Sequence, residues 1–206
     1  MSTAVAPTLP AGLPPTPPHV NSPAPTPGPT LITADEFMAK YDHLDADLVM
    51  GQLKEYGMAF GRHGQVCSKA DRLIGNFVED GQLGHTFSND TRILIRRDPD
   101  TVRGVDVCFV SFARLPAGPA PDTFLEVPPE LCVEVRSASN TWSDIFIKVG
   151  EYIGIGVNAV LVLDPDTQTA SVYRADTLQQ IFRVDDELTL PDVLPGFAVP
   201  VRRFFA

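Results

Sequence analysis

Residues 131–135 read Leu131-Cys132-Val133-Glu134-Val135, an apolar strand-forming run that contains one carboxylate. A carboxylate in such a run needs a charged partner or a chemical role if it is to be buried. Residues 105–110 have the same character, with Asp106 in Val105-Asp106-Val107-Cys108-Phe109-Val110. Lys148 follows in a segment whose apolar residues recur at helical spacing. These three charged residues therefore form the first candidate site.

The composition indicates one folded domain preceded by a tail. The 206 residues are 44% hydrophobic and 20% charged, which is enough for a substantial core. Residues 1–30 hold ten of the 20 prolines and no Asp, Glu, Lys or Arg. We predict that residues 1–30 are a disordered Pro-rich tail and that residues 31–206 form the domain. The tail lacks the features of a secretory signal, so a tether is the expected role.

The net charge of −10 argues against a surface that holds nucleic acid mainly through bulk electrostatics. It leaves room for a local site. Acids dominate residues 164–192, whereas four arginines cluster near Asp106 in the sequence: Arg92, Arg96, Arg97 and Arg103. Two interpretations stay open, because such a cluster either serves a site or covers a solvated hairpin.

Three cysteines, Cys67, Cys108 and Cys132, show neither the paired spacing of a zinc site nor the even count of a disulfide framework. They predict a reducing, cytoplasmic location. Their commonest fate is that of small buried side chains rather than catalytic thiols. Because no apolar run approaches the roughly 20 residues that span a bilayer, we expect no membrane partner.

The order of elements predicts a mixed α/β domain with two principal helices. Thr33 caps a short helix to Tyr41, and a strand with a turn or bulge at Gly51 covers residues 47–53. A long helix covers residues 63–80, and a second helix begins after a cap at Ser139 or Asn140. Further strands are expected at residues 84–88, 91–96, 104–111, 131–135, 159–163, 170–174 and 197–201.

Carboxylates on two neighbouring strands can bind a hard cation such as Mg²⁺, which prefers oxygen ligands. Asp106 and Glu134 would supply this pair, and Lys148 would stabilise negative charge that develops on a phosphate. Lys148 lies opposite most of the apolar stripe, so the helix would have to lean over the strand ends. The alternatives are water-facing carboxylates on half-buried strands and a surface ion pair of Lys148 with Asp144 or Glu151.

The motifs closely resemble the Uma-two family of restriction endonucleases, within the PD-(D/E)XK nuclease superfamily. The resemblance covers most of residues 33–206 and rests on the following positions: Asp47-Leu48-Val49-Met50-Gly51-Gln52-Leu53, His63, Asp106, Pro129 to Ser137, Lys148, Tyr152, Gly156-Val157, Leu163-Asp164-Pro165 and Leu190 to Phe197.

The resemblance implies a restriction-endonuclease-like α/β fold, in which a mixed central β-sheet is flanked by helices and extended by N-terminal strands. It also implies metal ligation by Asp106, Glu134 and Asp47, and catalytic roles for these three residues with Lys148 and His63. Asp47 stands where the family has a longer Glu. The expected cofactor is Mg²⁺ or Mn²⁺.

The resulting hypothesis is a metal-dependent endonuclease that hydrolyses DNA. Because double-strand cleavage generally needs two active sites, a homodimer is a candidate assembly. The rival hypothesis is a catalytically inactive binding or assembly protein that retains the nuclease fold. The sequence shows no Gly-x-Ser-x-Gly elbow, no His-Glu-x-x-His and no phosphate-binding loop, so other hydrolase classes have little support.

Overall fold

The computed structural model describes residues 1, 30–57, 60–137 and 140–206 of the chain. Residues 31–206 form a compact unit with its own core. The disorder predicted for residues 1–30 falls almost wholly outside the described residues and stays a prediction. The proposed helix cap at Ser139 also lies outside them.

The described part of the compact unit contains four helices and ten strands. The helices are α1 (Ala34–Tyr41), α2 (Gly61–Asp80), α3 (Trp142–Gly154) and α4 (Arg202–Phe205). The strands are β1 (Ala46–Val49), β2 (Gln52–Glu55), β3 (Gly84–Arg96), β4 (Thr101–Ser111), β5 (Leu131–Val135), β6 (Ala159–Asp164), β7 (Thr169–Tyr173), β8 (Gln180–Phe182), β9 (Glu187–Leu190) and β10 (Leu194–Pro200).

Eight strands form a central mixed sheet in the order β2-β1-β4-β5-β6-β7-β8, and β3 pairs with β4 as well. β5 and β6 run parallel and are joined by α3, while the other neighbouring strands are antiparallel. A parallel pair needs such a crossover, and a helix is its usual form. β9 and β10 form a separate antiparallel pair.

The alternation of side chains along β5 assigns its residues to two cores. Leu131, Val133 and Val135 pack in the cluster that contains α2, α4 and the β9–β10 pair. Cys132 belongs to the cluster on the other face, which contains the buried side of α3. Since successive strand residues point to opposite faces, Glu134 shares the α3 side with Cys132. This register places a carboxylate beneath a helix.

The structure confirms both principal helices and revises several strand boundaries. Residues 46–55 form a hairpin rather than one strand, because Met50 and Gly51 both have positive φ, at 53° and 74°, and make the turn. Residues 84–96 form one strand with an irregularity at Asn89 and Asp90 rather than two strands. β8 and β9 were not predicted.

Within the described ranges, no helix combines the length and the apolar character needed to cross a bilayer.

Candidate active site

The site forms where two strands diverge along one edge of β4. β1 pairs with β4 at Val102, whereas β5 pairs with it from Val107 onward. Gly104 lies between these points, and its backbone N–H donates to Asp47 Oδ1 at 2.8 Å. Its carbonyl oxygen accepts a hydrogen bond from Lys148 Nζ at 3.0 Å. Side chains thus satisfy the backbone groups of β4 at this fork.

Glu134 is buried at the fork with two hydrogen-bond donors. Lys148 Nζ lies 3.1 Å from Oε2 and 3.3 Å from Oε1 of the carboxylate. The Tyr152 hydroxyl lies 2.7 Å from Oε1 and 3.2 Å from the Gly104 carbonyl oxygen, and its single proton favours the nearer acceptor. The carboxylate is only 5% exposed, so its contact with Lys148 is a buried ion pair.

α3 presents Lys148 because of how the helix begins and which stripe it buries. Thr141 and Asp144 form a reciprocal capping box that fixes the first turn. Ile145, Val149 and Tyr152 are buried, and Lys148 lies three residues after the first of them and four before the last. Lys148 therefore lies on the same inward face of the helix as these residues. The prediction that it lies opposite the apolar stripe is wrong.

The expected alternative for Lys148, a surface ion pair with Asp144 or Glu151, is wrong. Asp144 pairs with Lys54 at 2.7 Å, and Glu151 pairs with Arg103 at 2.6 Å. Both acids that could have held the lysine at the surface are bound to other cations.

Asp106 connects β5 to the start of α2. Its Oδ2 accepts a hydrogen bond from the Val135 backbone N–H at 2.6 Å. Its Oδ1 lies 3.4 Å from Nε2 of His63, in the first turn of α2. This contact with Asp106 is the largest cause that raises the pKa of His63, against the opposing effect of burial.

Asp47 is 2% exposed, and its two oxygens are engaged by protein donors. Oδ2 accepts from the Tyr56 hydroxyl at 2.7 Å and from Arg103 at 3.1 Å, while Oδ1 accepts from Gly104 N–H. Burial raises the pKa of Asp47, but Lys148 and these donors outweigh that effect and lower it. A metal bound by Asp47 would share the carboxylate with these donors.

The arginine cluster divides between the site and the surface. Arg103 is 3% exposed and joins Asp47 to Glu151. Arg92 is 11% exposed and packs over the Phe37 ring. Arg96 and Arg97 are both exposed, and Arg97 pairs with Asp100. The solvated-hairpin interpretation is therefore wrong for Arg92 and Arg103.

All five residues proposed from the sequence line one cleft. They are Asp47, His63, Asp106, Glu134 and Lys148. The same cleft is lined by Asp90 and Arg92, which the sequence analysis did not place in the site. Residues separated by up to 101 positions in the chain are thereby brought to one opening.

In the cleft, the negative charges of the carboxylates are not fully balanced by neighbouring positive side chains. Burial, together with the charge of Asp106 and against the opposing effect of Lys148, raises the pKa of Glu134 to about 7. Burial and the charge of Asp106 also raise the pKa of Asp90. Burial lowers the pKa of Lys148, but Glu134, Asp47 and Asp106 outweigh that effect, so this lysine stays charged.

The donor set fits a hard divalent cation. Asp106 and Glu134 offer carboxylate oxygens to the cleft, and these are the ligands that Mg²⁺ and Mn²⁺ prefer. Burial, together with the charge of Asp106, raises the pKa of Glu134 and Asp90, and a cation there would offset both effects.

Sequence reasoning assigned Tyr152 no role in the site and left the role of Arg103 open, although each contacts a site carboxylate. Tyr152 lies four residues after Lys148, so helical spacing could have placed both on one face. For Arg103 no local signal exists, because its partners Asp47 and Glu151 lie 56 and 48 residues away. The prediction of small buried side chains is confirmed for Cys108 and Cys132, whereas Cys67 is partly exposed.

Comparison with known families agrees with this geometry. Residues 34–202 match the model of the Uma2 family, which is described as "Putative restriction endonuclease". The chain belongs to this family. The Uma2 motifs noted in the sequence are thus confirmed at the level of the family, and a nuclease function is supported in general terms. No curated protein matches the chain.

A solved structure of another protein shows the same fold. The chain is similar to a protein described as "a putative nuclease belonging to DUF820 from Anabaena variabilis ATCC 29413", with a TM-score of 0.74 and 21% sequence identity. The similarity covers 84% of this chain and 97% of the other. The expected α/β class, a mixed central sheet flanked by helices in a nuclease fold, is confirmed.

Proposed function

We propose that the chain is a metal-dependent endonuclease that hydrolyses phosphodiester bonds of DNA. The observation that carries the proposal is the convergence of Asp47, His63, Asp106, Glu134 and Lys148 on one cleft. Fold alone does not determine function, so this convergence of chemical groups matters more than the shared architecture. The free cysteines are compatible with the proposed cytoplasmic location.

In this proposal Asp106 and Glu134 hold Mg²⁺ or Mn²⁺, which supplies Lewis-acid activation of the phosphate and a lowered pKa for attacking water. Lys148 places a permanent positive charge beside the bound phosphate, where negative charge develops during attack. Tyr152 and the Gly104 carbonyl oxygen hold Lys148 and Glu134 in position. His63, held by Asp106, can donate a proton to a phosphate or leaving-group oxygen.

Asp47 is proposed to assist by positioning as well as by any direct ligation. Its bonds to Gly104 N–H and Arg103 fix β1 against β4 at the fork. Because small displacements of reacting groups reduce rates strongly, this anchoring supports catalysis even without contact to substrate.

The test is plasmid cleavage with Mg²⁺ or Mn²⁺ by the full chain. Glu134→Gln and Lys148→Met should each lower the rate by about 100-fold or more, since each removes a preorganised charge from the site. Glu126→Gln and Lys40→Met change exposed residues and serve as matched controls with wild-type rates expected. Equal cleavage by the wild type and all four variants would indicate a contaminating nuclease and contradict the proposed function.

The rival function, a non-catalytic binding or assembly protein with the nuclease fold, is favoured by one observation. Asp47 and Glu134 are each engaged by protein donors on both oxygens, which limits their use as ligands. Calorimetry with Mg²⁺ and Mn²⁺ separates the two functions. Binding at millimolar metal that Asp106→Ala abolishes supports the nuclease, and absence of binding supports the rival.

A further inference from the structure

A second group of metal-binding side chains adjoins the proposed magnesium site. His63, Cys67 and Asp106 each offer a ligand atom, and the three atoms lie within 4.8 Å of one another. His63 and Cys67 are four residues apart in α2, so they share one helical face. Asp106 reaches them from β4. The group therefore comes from two rigid elements rather than from a loop.

The three ligand atoms are close enough together to reach one tetrahedral transition-metal ion. Zn²⁺ bonds of about 2.3 Å to sulfur and about 2.1 Å to nitrogen or oxygen place sulfur and nitrogen ligands about 3.6 Å apart, and nitrogen and oxygen ligands about 3.4 Å apart. Cys67 Sγ lies 3.5 Å from His63 Nδ1 and 3.8 Å from Nε2, and Nε2 lies 3.4 Å from Asp106 Oδ1. A rotation of the His63 ring is therefore needed to aim one ring nitrogen at an ion held between Cys67 and Asp106.

The surroundings give a metal access and a place for a fourth ligand. The three side chains line a second opening together with Asp90, and this opening adjoins the main cleft through His63, Asp90 and Asp106. His63 and Cys67 are partly exposed. Three protein ligands with an open position are the arrangement of zinc sites that retain a water.

The ligand types separate this site from the magnesium site. Thiolate and imidazole select zinc and related transition metals, whereas Mg²⁺ requires oxygen ligands. We propose that His63, Cys67 and Asp106 bind Zn²⁺ or a similar transition-metal ion, at a site distinct from the Asp106–Glu134 pair but sharing Asp106 with it. A bound Zn²⁺ would then withdraw Asp106 from Mg²⁺, a consequence that rests on the proposed nuclease function.

Cobalt substitution tests the site without reference to nuclease activity. Adding Co²⁺ to the reduced full-length protein should produce a sulfur-to-cobalt charge-transfer absorption at one ion per chain, and Zn²⁺ should remove it. Cys67→Ser should abolish this absorption, while His63→Ala should weaken Zn²⁺ binding by about tenfold or more in calorimetry. Cys108→Ala, in the buried core, is the matched control and should retain both signals.

A cobalt spectrum without thiolate absorption in the wild type would overturn the proposal, as would absorption that persists in Cys67→Ser. If Cys67→Ser fails to fold, unchanged Zn²⁺ affinity in His63→Ala overturns it instead. Glu134→Gln should retain the cobalt spectrum while losing Mg²⁺-dependent cleavage. An inactive wild type with an intact cobalt spectrum would reject the nuclease and leave the zinc site standing.

Discussion

At the scale of single residues, the fork in β4 concentrates buried charge where a core would normally be apolar. Asp47, Arg103, Glu134 and Lys148 are each at most 14% exposed in their side chains. Buried ion pairs add little net stability, and loss of one partner is costly. Such an arrangement is a poor way to stabilise a sheet, which favours a functional reason for it.

Gly104 shows how closely the backbone is involved. A Cβ atom at this position would lie 2.9 Å from Arg92 Nη1 and 3.3 Å from the Asp90 carbonyl oxygen. A side chain would therefore displace two residues that line the cleft. The glycine in the Arg103-Gly104-Val105-Asp106 segment is explained by close packing rather than by backbone conformation.

Arg103 provides a residue-scale prediction. Its guanidinium makes two hydrogen bonds to Glu151, at 2.6 and 2.9 Å, and one to Asp47 at 3.1 Å. Lysine keeps the charge but cannot reproduce this planar set of donors. Arg103→Lys should lower the free energy of unfolding by about 2–4 kcal/mol.

Urea denaturation of the metal-free protein measures this loss. Arg96→Lys is the matched control, because Arg96 is exposed in the adjacent strand, and it should change stability by less than about 0.5 kcal/mol. A similarly small decrease in the free energy of unfolding in both variants would show that the buried bidentate contact adds no measurable stability.

At the scale of elements, local sequence patterns predicted the helices and strands whose positions depend on neighbouring residues. β5 and the span of α2 were predicted closely because apolar periodicity fixes them. The β1–β2 hairpin was predicted only as one strand with a turn or bulge at Gly51, because Met50, rather than Asn or Asp, adopts the left-handed turn before Gly51. The cap of α3 is Thr141 rather than Ser139 or Asn140, since Thr141 has Asp144 at the third helical position.

Long-range pairing explains why the candidate site was only partly predictable. The sequence order of Asp106, Glu134 and Lys148 indicated a site, but nothing local placed Tyr56 and Arg103 on Asp47. Likewise Cys67 was interpreted as a small buried side chain, because a mixed site with one cysteine lacks the paired spacing of a zinc finger. The sequence did not show which helices and strands would pack against one another.

Asp144 carries the prediction at this scale. It caps α3 through Thr141 and pairs with Lys54 of β2 at 2.7 Å, so it joins the helix to the hairpin. The hydrogen bond from Lys54, then that of Thr141, lowers the pKa of Asp144 to about 2. A lowered carboxyl pKa adds stability above the ordinary value of 3.8, and this stability disappears as pH falls towards 2.

Asp144→Asn keeps the shape and an acceptor oxygen but removes the charge. It should lower the free energy of unfolding at pH 7 by about 1 kcal/mol, because both partners are partly exposed and screened. The difference from wild type should shrink between pH 4 and pH 2. Asp122→Asn, at an exposed loop position, should show no comparable difference at either pH. A deficit that stays constant to pH 2 would contradict the charge as its source.

At the scale of the whole molecule, the −10 charge and the proposed DNA substrate can be reconciled only if binding uses few cations. Of the 16 Lys and Arg residues, eleven are in ion pairs with carboxylates of the described residues. The other five are Lys69, Arg72, Arg96, Arg183 and Arg203. Three of these, Lys69, Arg72 and Arg203, line one surface groove along α2, the helix that begins near the candidate site.

DNA affinity measured without divalent metal should therefore have a salt dependence limited by the number of unpaired cations. Five available cations limit the slope of log K against log salt concentration to about −4.5, because each neutralised phosphate contributes about −0.9. Fluorescence anisotropy with a short duplex measures this slope. Removing Lys69 and Arg72 together, as alanines, should make it shallower by about 2, whereas Arg183→Ala, in the acidic segment 164–192, should leave it unchanged. A slope steeper than about −6 would mean that DNA recruits the paired arginines by breaking their ion pairs, and equal slopes in all variants would place the DNA away from α2.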